Sequence, residues 1–289
     1  MKYHILYNPL AGNGRILKSL NKMQLPEGCE RKLIELDSIN NLDEYFADLP
    51  TNDKIVICGG DGTLNRFVNS FDLEKTHNDI LYFASGSGND FLKDLNLKPD
   101  NTLININKYI SNLPLLKIRD RSLKFLNGIG YGLDGYVCSE INRKRGMGKP
   151  KVSYIATAIK AFLFGYKPCR ATLNIDGKEF KYEKVWLAPT MKGRFFGGGM
   201  MIAPTQNRMS EDSAVTVVIA HNMSTLRILT LFPTIFKGKH IEYKKYLDIH
   251  KGNNISIKFE RPSALQIDGE TINDVDEYTV TANRKNLLV

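Results

Sequence analysis

In the first third of the chain, segments with the apolar pattern of a strand alternate with segments that have the apolar pattern of a helix. Short runs of apolar and β-branched residues predict strands, and the segments between them repeat apolar positions every three or four residues, as helices do. The predicted strands are residues 3–7, 32–36, 54–58 and 80–84, and the predicted helices are residues 15–23, 42–49 and 63–71. Such alternation favours a parallel sheet covered by helices. We therefore expect residues 1–116 to form an α/β domain.

From about residue 117 the pattern becomes that of antiparallel strands. Residues 171–182 alternate apolar and polar side chains around Asp176-Gly177, which is a strong signal for a tight hairpin. Further strands are predicted at residues 185–188, 215–220, 255–259, 264–267 and 278–281, and helices at residues 152–164 and 225–236. Residues 117–289 are thus expected to form a mostly antiparallel, β-rich second domain. Because no long linker separates the two domains, we expect them to pack closely and share a cleft.

Loops rich in glycine and asparagine follow three of the predicted parallel strands. They comprise residues 8–14, 59–62 and 85–89. Ligands of parallel sheets bind at the carboxyl ends of the strands. Glycine allows backbone N–H groups to point at an anion, and a helix that starts after the loop adds partial positive charge. The loops therefore indicate phosphate binding, although they match neither the Walker A nor the GxGxxG pattern.

Three side chains in or after these loops suggest specific chemistry. Arg15 follows the first loop and is placed to meet phosphate oxygens. Thr63 can cap the helix after the second loop or offer its hydroxyl to a phosphate. Asp61 would repel a phosphate, so we expect it to hold Mg²⁺ through water or to accept a proton.

The net charge points to an anionic partner. Forty Lys and Arg residues against 31 Asp and Glu residues give a formal charge of +9 at pH 7. The basic residues cluster at Arg143, Lys144, Arg145, Lys149 and Lys151, and again at Lys237, Lys239, Lys244 and Lys245. Because these clusters lack interleaved stacking aromatics, we expect no nucleic-acid partner. An anionic membrane surface is the favoured partner of the first cluster.

Other compositional features predict a cytoplasmic protein without a membrane span. The most apolar predicted helix, residues 154–166, is too short to cross a bilayer and contains Lys160. Met1 leads directly into a strand pattern, with no signal-peptide pattern. The cysteines are scattered without CxxC spacing, which predicts free thiols in a reducing compartment rather than zinc ligands: Cys29, Cys58, Cys138 and Cys169.

Five segments resemble the motifs of the diacylglycerol kinase catalytic family, particularly its soluble bacterial lipid kinases. They are NPLAGNGR (residues 8–15), GGDGTLN (59–65), SGSGNDF (85–91), FFGGGMMIAP (195–204) and LQIDGE (265–270). The segments lie in the expected order and extend over almost the whole chain. The resemblance implies the two-domain architecture shared by diacylglycerol kinases and NAD kinases.

The resemblance also implies an activity and its residues. It implies an ATP- and Mg²⁺-dependent transfer of phosphate to a lipid hydroxyl, with diacylglycerol as the expected acceptor, at the inner face of the membrane. Glu270 is the implied general base and Asp61 the implied Mg²⁺ anchor, with a supporting acidic network of Asp90, Glu211 and Asp268. The implied nucleotide-binding residues are Asn8, Pro9, Leu10, Ala11, Gly12, Arg15, Gly59, Gly60, Asp61, Gly62, Thr63, Ser87 and Asn89.

The family further implies a structural metal site, from which this chain departs. The implied ligands are the carboxylate of Asp212 and the backbone carbonyls of Met209 and Ala214. Glu211 and Ser213 stand where the family has Asp and Gly. A second departure is Arg119, which occupies the place of a common family Asp; Asp120 follows one residue later.

Alternative functions remain open from the sequence. One is a kinase for another lipid, a small alcohol or NAD, although the second Asn-Glu motif expected of an NAD kinase is absent after GGDGT. Another is a nucleotide-binding regulator without catalytic activity, but the presence of Asp61 and Glu270 together favours catalysis. The sequence does not identify the acceptor lipid, the preferred nucleotide or the oligomeric state. A homodimer is one of the alternatives that stay open.

Overall fold

The computed structural model describes residues 1–9, 16–86, 88–148 and 152–282. The chain forms two compact units, Met1–Asn112 and Leu113–Val289. The sequence placed the boundary after residue 116, within a strand that belongs as a whole to the second unit. That strand, Leu115–Ile118, pairs with the last strand of the second unit, so the division falls before it.

The first unit alternates strands and helices. Its strands are β1 (Lys2–Tyr7), β2 (Glu30–Glu35), β3 (Lys54–Gly59), β4 (Asp79–Ala84) and β5 (Ile104–Asn105). Its α-helices are α1 (Ile16–Leu20), α2 (Leu42–Phe46), α3 (Asp61–Ser70), α4 (Asp90–Asp94) and α5 (Asn107–Ile110). Short 3₁₀ turns occupy Leu36–Ser38 and Leu73–Lys75.

The sheet of this unit has the order β2-β1-β3-β4-β5, and β1 to β4 run parallel. β3 is buried along almost its whole length, as expected of a parallel strand covered on both faces. Tyr7 pairs with Cys58, and Gly59 pairs with Ala84. The carboxyl ends of β1, β3 and β4 are therefore neighbours at one edge, where the predicted glycine loops begin.

The second unit contains a mainly antiparallel sheet. Its strands are β6 (Leu115–Ile118), β7 (Arg121–Lys124), β8 (Gly128–Tyr131), β9 (Cys169–Ile175), β10 (Lys178–Val185), β11 (Thr190–Met191), β12 (Phe195–Phe196), β13 (Met200–Met201), β14 (Val215–Ala220), β15 (Leu247–Gly252), β16 (Asn254–Ile267) and β17 (Glu270–Thr281). The α-helices are α6 (Leu133–Gly146), α7 (Tyr154–Lys160) and α8 (Thr225–Leu231). A π-helical turn at Ala161–Gly165 continues α7, and 3₁₀ turns at Phe232–Lys237 and Lys239–Glu242 continue α8.

The main path through this sheet is β15-β14-β11-β8-β16-β17-β6-β7, with β9 pairing with both β16 and β10. One face packs around a core that includes Ile129, Phe259 and Leu265. A second apolar cluster forms between the sheet and the helices, around Val137, Phe162 and Phe232. The predicted fold class, a parallel α/β domain followed by an antiparallel β-rich domain, is confirmed.

Several local predictions for the second unit differ from the structure. The two strands predicted at residues 255–259 and 264–267 are one strand, β16, whose register with β17 shifts between Lys258 and Leu265. The strand predicted at residues 185–188 is absent among the described residues, because β10 ends at Val185 and Leu187 forms only isolated bridges. Helix α6 and the β6–β7 hairpin were not predicted.

None of the helices described in this structure combines the length and the apolar character needed to cross a lipid bilayer.

Candidate functional site

Two of the glycine loops of the first unit touch through their backbones. A Cβ added to Gly86 would lie 2.5 Å from the Cα of Gly60, and one added to Gly59 would lie 2.4 Å from the side chain of Thr63. Both distances are shorter than side-chain atoms tolerate. The amide of Ser85 also donates to the carbonyl of Gly59, at 2.9 Å. Glycine is therefore required at these positions for the loops after β3 and β4 to pack together.

Asp61 joins the same two loops through its carboxylate. Its Oδ2 accepts a hydrogen bond from the amide of Asp90 at 2.9 Å, and its Oδ1 accepts one from the amide of Phe91 at 3.0 Å. These amides begin α4, so Asp61 acts as a cap for that helix. A carboxylate offers about four acceptor sites. The half-buried carboxylate thus retains acceptor capacity for water, as the predicted Mg²⁺ role requires.

Asn89 shapes the third loop from within. It adopts a left-handed backbone with φ 51°, a conformation that Asn tolerates better than most residues. Its buried side chain donates from Nδ2 to the carbonyl of Gly86 at 2.9 Å, while Oδ1 has no hydrogen-bond partner among the described residues. Asp90, also buried, has its Oδ1 3.6 Å from Nζ of Lys93.

The other predicted nucleotide-binding residues divide into two groups. Asn8 and Pro9 follow β1 and are half-buried, and Gly62 is exposed with open space around it. Gly62 lies in the first turn of α3, where backbone N–H groups have no partner within the helix. This arrangement fits the phosphates of a nucleotide. Leu10, Ala11, Gly12, Arg15 and Ser87 lie outside the described residues.

In the second unit, Asp268 and Gly269 form the turn between β16 and β17, with φ of 47° and 100°. The Asp268 carboxylate accepts three backbone hydrogen bonds: from Leu126 at 2.6 Å, from Asn127 at 2.8 Å and from Gly128 at 3.0 Å. These hydrogen bonds of Asp268 hold the turn against the start of β8. Its contribution to an acidic network remains a prediction.

Glu270 follows this turn as the first residue of β17. Its side chain is exposed, and its carboxylate forms no hydrogen bond or ion pair within the part of the chain that the structure describes. The backbone of the turn, in contrast, is held on both sides. The amide of Gly269 donates to Oε1 of buried Gln266 at 2.7 Å. A rigid turn therefore presents an accessible carboxylate, which suits a general base.

Arg208 supports the same turn from the opposite side and was not predicted. It is buried, and its guanidinium donates to the carbonyl of Leu126 at 2.7 Å and to Oδ1 of Asn127 at 3.0 Å. Residues 126–128, whose amides bind Asp268, are therefore also held by Arg208 through the carbonyl of Leu126 and the side chain of Asn127. No sequence signal marks Arg208, because it lies in a loop without periodicity.

An apolar cavity lies between the helices and the sheet of the second unit. Its volume is about 40 Å³, and side chains from α6, α7, α8 and the π-helical and 3₁₀ turns line it. Among the polar lining residues is Asp134, whose side chain is buried. Its Oδ2 accepts from Nε2 of Gln266 at 2.9 Å, and its Oδ1 accepts from the hydroxyl of Tyr154. Burial raises the pKa of Asp134 to about 6.

Asp134, like Arg208, was not predicted from the sequence. The bonds from Asp134 to Gln266 and from Gln266 to Gly269 connect the cavity to the turn that carries Glu270. Glycines make room for this arrangement: a Cβ at Gly130 would lie 1.6 Å from Oδ2 of Asp134, and one at Gly135 would lie 1.9 Å from the carbonyl of Ala264. Gly130 and Gly135, close to Asp134 in the sequence, were the signal that could have identified it.

His240 is another buried polar residue of the cavity wall. Its Nε2 lies 2.9 Å from the carbonyl of Ile202 and therefore carries the proton. Burial lowers the pKa of His240, which favours the neutral ring. Nδ1 has no hydrogen-bond partner among the described residues, so it is an acceptor.

The residues of the implied structural metal site do not fit a metal ion. The carboxylate of Asp212 pairs with Nζ of Lys251 at 3.1 Å, and the carbonyl of Ala214 accepts from Nε2 of Gln206 at 3.0 Å. Met209 and Glu211 are exposed. Within the described ranges, no three His, Cys, Asp or Glu side chains are grouped as metal ligands.

Arg119 and Arg143 are each bonded to another residue of the second unit. Arg119 lies in the β6–β7 turn with φ 54° and donates to the carbonyl of Asp274 at 2.5 Å, while Asp120 is exposed beside it. Arg143 pairs with Glu140 at 2.8 Å. Lys149 and Lys151 lie outside the described residues, as does the side chain of Arg145.

Each half of the chain matches a family of known proteins. A family profile described as "Diacylglycerol kinase catalytic domain" matches residues 2–115, and one described as "YegS C-terminal NAD kinase beta sandwich-like domain" matches residues 127–283. A diacylglycerol kinase of Mycobacterium tuberculosis is 29% identical over 264 residues, covering 83% of this chain and 80% of that protein.

A solved structure of a diacylglycerol kinase from Bacillus anthracis has the same fold. It matches with a TM-score of 0.60 at 16% identity, covering 98% of this chain and 94% of that chain. The family profiles together match most of the sequence, in the order of the two units. The chain thus belongs to the diacylglycerol kinase catalytic-domain family, and its second half is a YegS-type C-terminal domain.

Proposed function

We propose that this protein is an ATP- and Mg²⁺-dependent lipid kinase that phosphorylates diacylglycerol to phosphatidic acid. The observation that carries the proposal is the connected group in the second unit. There an apolar cavity is bordered by a buried carboxylate, and hydrogen bonds lead from that carboxylate through Gln266 to the turn that presents Glu270. An apolar site with few, well-placed polar groups suits a lipid with a hydroxyl head.

The first unit supplies the donor site in this proposal. The nucleotide phosphates bind at the glycine loops, where Gly62 leaves open space beside the first turn of α3. Asp61 holds Mg²⁺ through water with the acceptor capacity that its two bonds to α4 leave. When bound, Mg²⁺ neutralises the charge that develops on the transferring phosphoryl group.

The second unit supplies the acceptor site. The cavity, at about 40 Å³, is too small for acyl chains as it stands, so its apolar walls move apart when the lipid binds. Burial of apolar surface then favours binding by roughly 25 cal/mol per Å². Asp134 orients the lipid head by accepting a hydrogen bond from it. Glu270 takes the proton of the reacting hydroxyl, while the bonds of Asp268 and Gly269 hold the turn in place.

The helical wall of the cavity also suits a membrane surface. Inward side chains of this wall line the cavity, among them Ala158, Phe162 and Phe232. Outward apolar side chains on the same elements are exposed: Ile159 40%, Leu163 45%, Leu226 76% and Phe236 39%. The exposed cations Lys160 and Lys237 lie beside them in sequence. We infer that this wall rests on the bilayer and that the acceptor enters the cavity directly from it.

The decisive test is phosphate transfer from labelled ATP to a panel of micellar lipids, with NAD included, by the wild type and Glu270→Gln. The amide keeps the size of Glu270 but cannot accept the proton. We expect transfer to fall by roughly 10²–10⁴-fold, the usual contribution of a positioned base, while ATP affinity stays within a few fold. Glu277→Gln is the matched control, because Glu277 is also an exposed carboxylate on the same strand, and it should leave transfer unchanged.

Other outcomes lead to other functions. Normal transfer by Glu270→Gln would assign the base role to Asp61. Phosphorylation of NAD alone would indicate an NAD kinase. Tight ATP binding by the wild type without transfer to any lipid would indicate a nucleotide-binding regulator.

A further inference from the structure

The loop of residues 209–214, just before β14, contains every atom that the family resemblance assigns to a structural metal. Those atoms are the carboxylate of Asp212 and the backbone carbonyls of Met209 and Ala214. In this chain, side chains from outside that loop approach the same segment. Two of these side chains are lysines and one is an amide donor.

Lys192 is the first of these side chains. It follows β11 directly, and only 2% of its surface is exposed. Its Nζ donates to the carbonyl of Ser213, between Asp212 and Ala214, at 3.4 Å. Lysine is almost never fully buried unless its charge has a partner. The carbonyl of Ser213 is the partner of this ammonium group, and the negative charge of Asp212 favours its protonated form.

Lys251 approaches the loop from β15, the strand that pairs with β14. Its register partner is Thr216, two residues after Ala214. Nζ of Lys251 lies 3.1 Å from Oδ2 and 3.4 Å from Oδ1 of Asp212. Both oxygens of the expected metal carboxylate therefore face an ammonium group.

Gln206 completes the arrangement as a neutral donor. Its side chain is buried, and Nε2 donates to the carbonyl of Ala214 at 3.0 Å and to that of Lys192 at 3.3 Å. Its Oε1 accepts from the hydroxyl of Thr216 at 2.5 Å, which fixes the orientation of the amide. The expected carbonyl ligand at Ala214 thus already has a hydrogen-bond donor.

We propose that the ammonium groups of Lys192 and Lys251 hold the loop of residues 209–214 in place of the structural metal ion of the family, so that this chain needs no such ion. A divalent cation at the implied ligands would meet one carboxylate, that of Asp212, already paired with Lys251, and two lysines whose ammonium groups repel it. Ca²⁺ sites in proteins usually offer six to eight oxygen ligands, several of them carboxylates. The arrangement does not depend on the proposed kinase activity.

This arrangement also affects the turn that carries Glu270, the candidate general base. Arg208, just before the loop, is bonded to Leu126 and Asn127, and their amides in turn hold Asp268. In the proposal, protein cations maintain this connection, and the divalent-ion requirement of the enzyme comes from the nucleotide alone.

The first test is thermal unfolding of the wild-type chain without nucleotide, in EDTA, in excess Mg²⁺ and in excess Ca²⁺. A native-state site that is saturated a hundredfold above its Kd would raise the Tm by about 5–10 °C in a protein of this size. We expect the three Tm values to coincide. A rise of that size with either ion that disappears in Asp212→Asn would overturn the proposal.

The second test asks whether Lys192 holds the loop, with hydrogen exchange as the readout. Lys192→Met keeps the length of the side chain but removes the charge and the donor. We expect amide exchange in residues 209–214 to accelerate about tenfold or more, since a hydrogen bond from a charged group is lost. Lys258→Met is the control, because Lys258 pairs with Glu277 on the exposed side of β16, and exchange in the loop should not change. Unchanged exchange in Lys192→Met would also overturn the proposal.

If Lys192→Met fails to fold, Lys251→Gln replaces it, since Lys251 is partly exposed and its loss leaves no buried gap. The same local acceleration is then expected around Asp212. Its absence counts against the proposal in the same way.

Discussion

At the scale of single residues, Asp134 stands out because it is a carboxylate buried in an otherwise apolar wall. Its two hydrogen bonds favour the ionised form, but burial is the larger effect and raises its pKa to about 6. The group therefore binds a proton more tightly in the folded chain than in the unfolded chain, where its pKa is close to 3.8. Its contribution to stability is fully present below pH 3.8 and is lost as pH rises through 6.

This shift predicts a pH-dependent stability that Asp134→Asn removes. Once Asp134 is fully ionised, the wild type should have lost about 3 kcal/mol relative to acid pH, at 1.36 kcal/mol for each pKa unit. Asparagine does not titrate, so the variant should lack this loss. Denaturant unfolding at several pH values between 4 and 8 measures the difference between the two curves. Parallel curves for wild type and variant would show that Asp134 is not buried as described.

Asp268 and Asp176 form a natural pair for separating structure from catalysis. Both lie in an Asp-Gly hairpin turn with positive φ, and both accept backbone amides from another segment. The amides bound by Asp176 belong to Asn253 and Asn254, at the opposite end of β16 from the turn that carries Glu270.

We therefore expect Asp268→Ala and Asp176→Ala to be destabilised comparably, by about 1–3 kcal/mol for the amides left unpaired. Only Asp268→Ala should also reduce phosphate transfer, since only its turn holds Glu270. Urea unfolding and the transfer assay, run on both variants, check this. Equal transfer rates at matched folded fraction would separate Asp268 from the site.

At the scale of elements, the contact between the glycine loops after β3 and β4 is the feature that brings the residues of the proposed donor site together. The backbones of Gly60 and Gly86 approach so closely that Gly86 leaves no room for a side chain, and Asp61 bridges the same gap by hydrogen bonds. The loops must therefore move together.

Gly86→Ala should separate these loops, because the new Cβ would lie 2.5 Å from the Cα of Gly60. We expect ATP affinity to fall at least tenfold, about 1.4 kcal/mol, in titration calorimetry. Gly146→Ala is the control: its Cβ meets open space at the end of α6, and its backbone does not need positive φ. If both variants bind ATP equally, the contact between the loops does not shape the nucleotide site.

At the scale of the whole molecule, the proposed docking to a membrane would use both the positive charge and the exposed apolar wall. Electrostatic attraction brings a basic protein to an anionic surface, at about 1 kcal/mol for each Lys or Arg near it, and salt screens this attraction. Insertion of apolar side chains is much less sensitive to salt. Both contributions are expected in this protein.

Binding to vesicles of equal parts phosphatidylglycerol and phosphatidylcholine should therefore weaken, but not vanish, between low and high salt. Replacing Leu163 and Leu226 with Ser should remove most of the binding that remains at high salt, as measured by sedimentation. Ile249→Ser is the control, because Ile249 is an exposed apolar residue on β15, outside the helical wall. Equal loss in both variants would contradict docking through the wall.

The sequence determined the local features of this protein. The four parallel strands of the first unit, the glycine loops after them and the hairpin turn at Asp176-Gly177 were predictable, because period, β-branching and positive φ depend on neighbouring residues alone. Helix α6 escaped prediction because Gly135, a poor helix former, is required where the helix packs on Ala264.

Only the tertiary structure decided the contacts that make the site. Gln266 reaches Asp134 across 132 residues of sequence, Asp268 reaches residues 126–128, and Lys192 and Lys251 meet a loop whose motif suggested a metal. Each of these contacts depends on the register between strands that are distant in the chain. The free energy that sets such a register is summed over the whole sheet and its buried core, so no single segment of the sequence contains it.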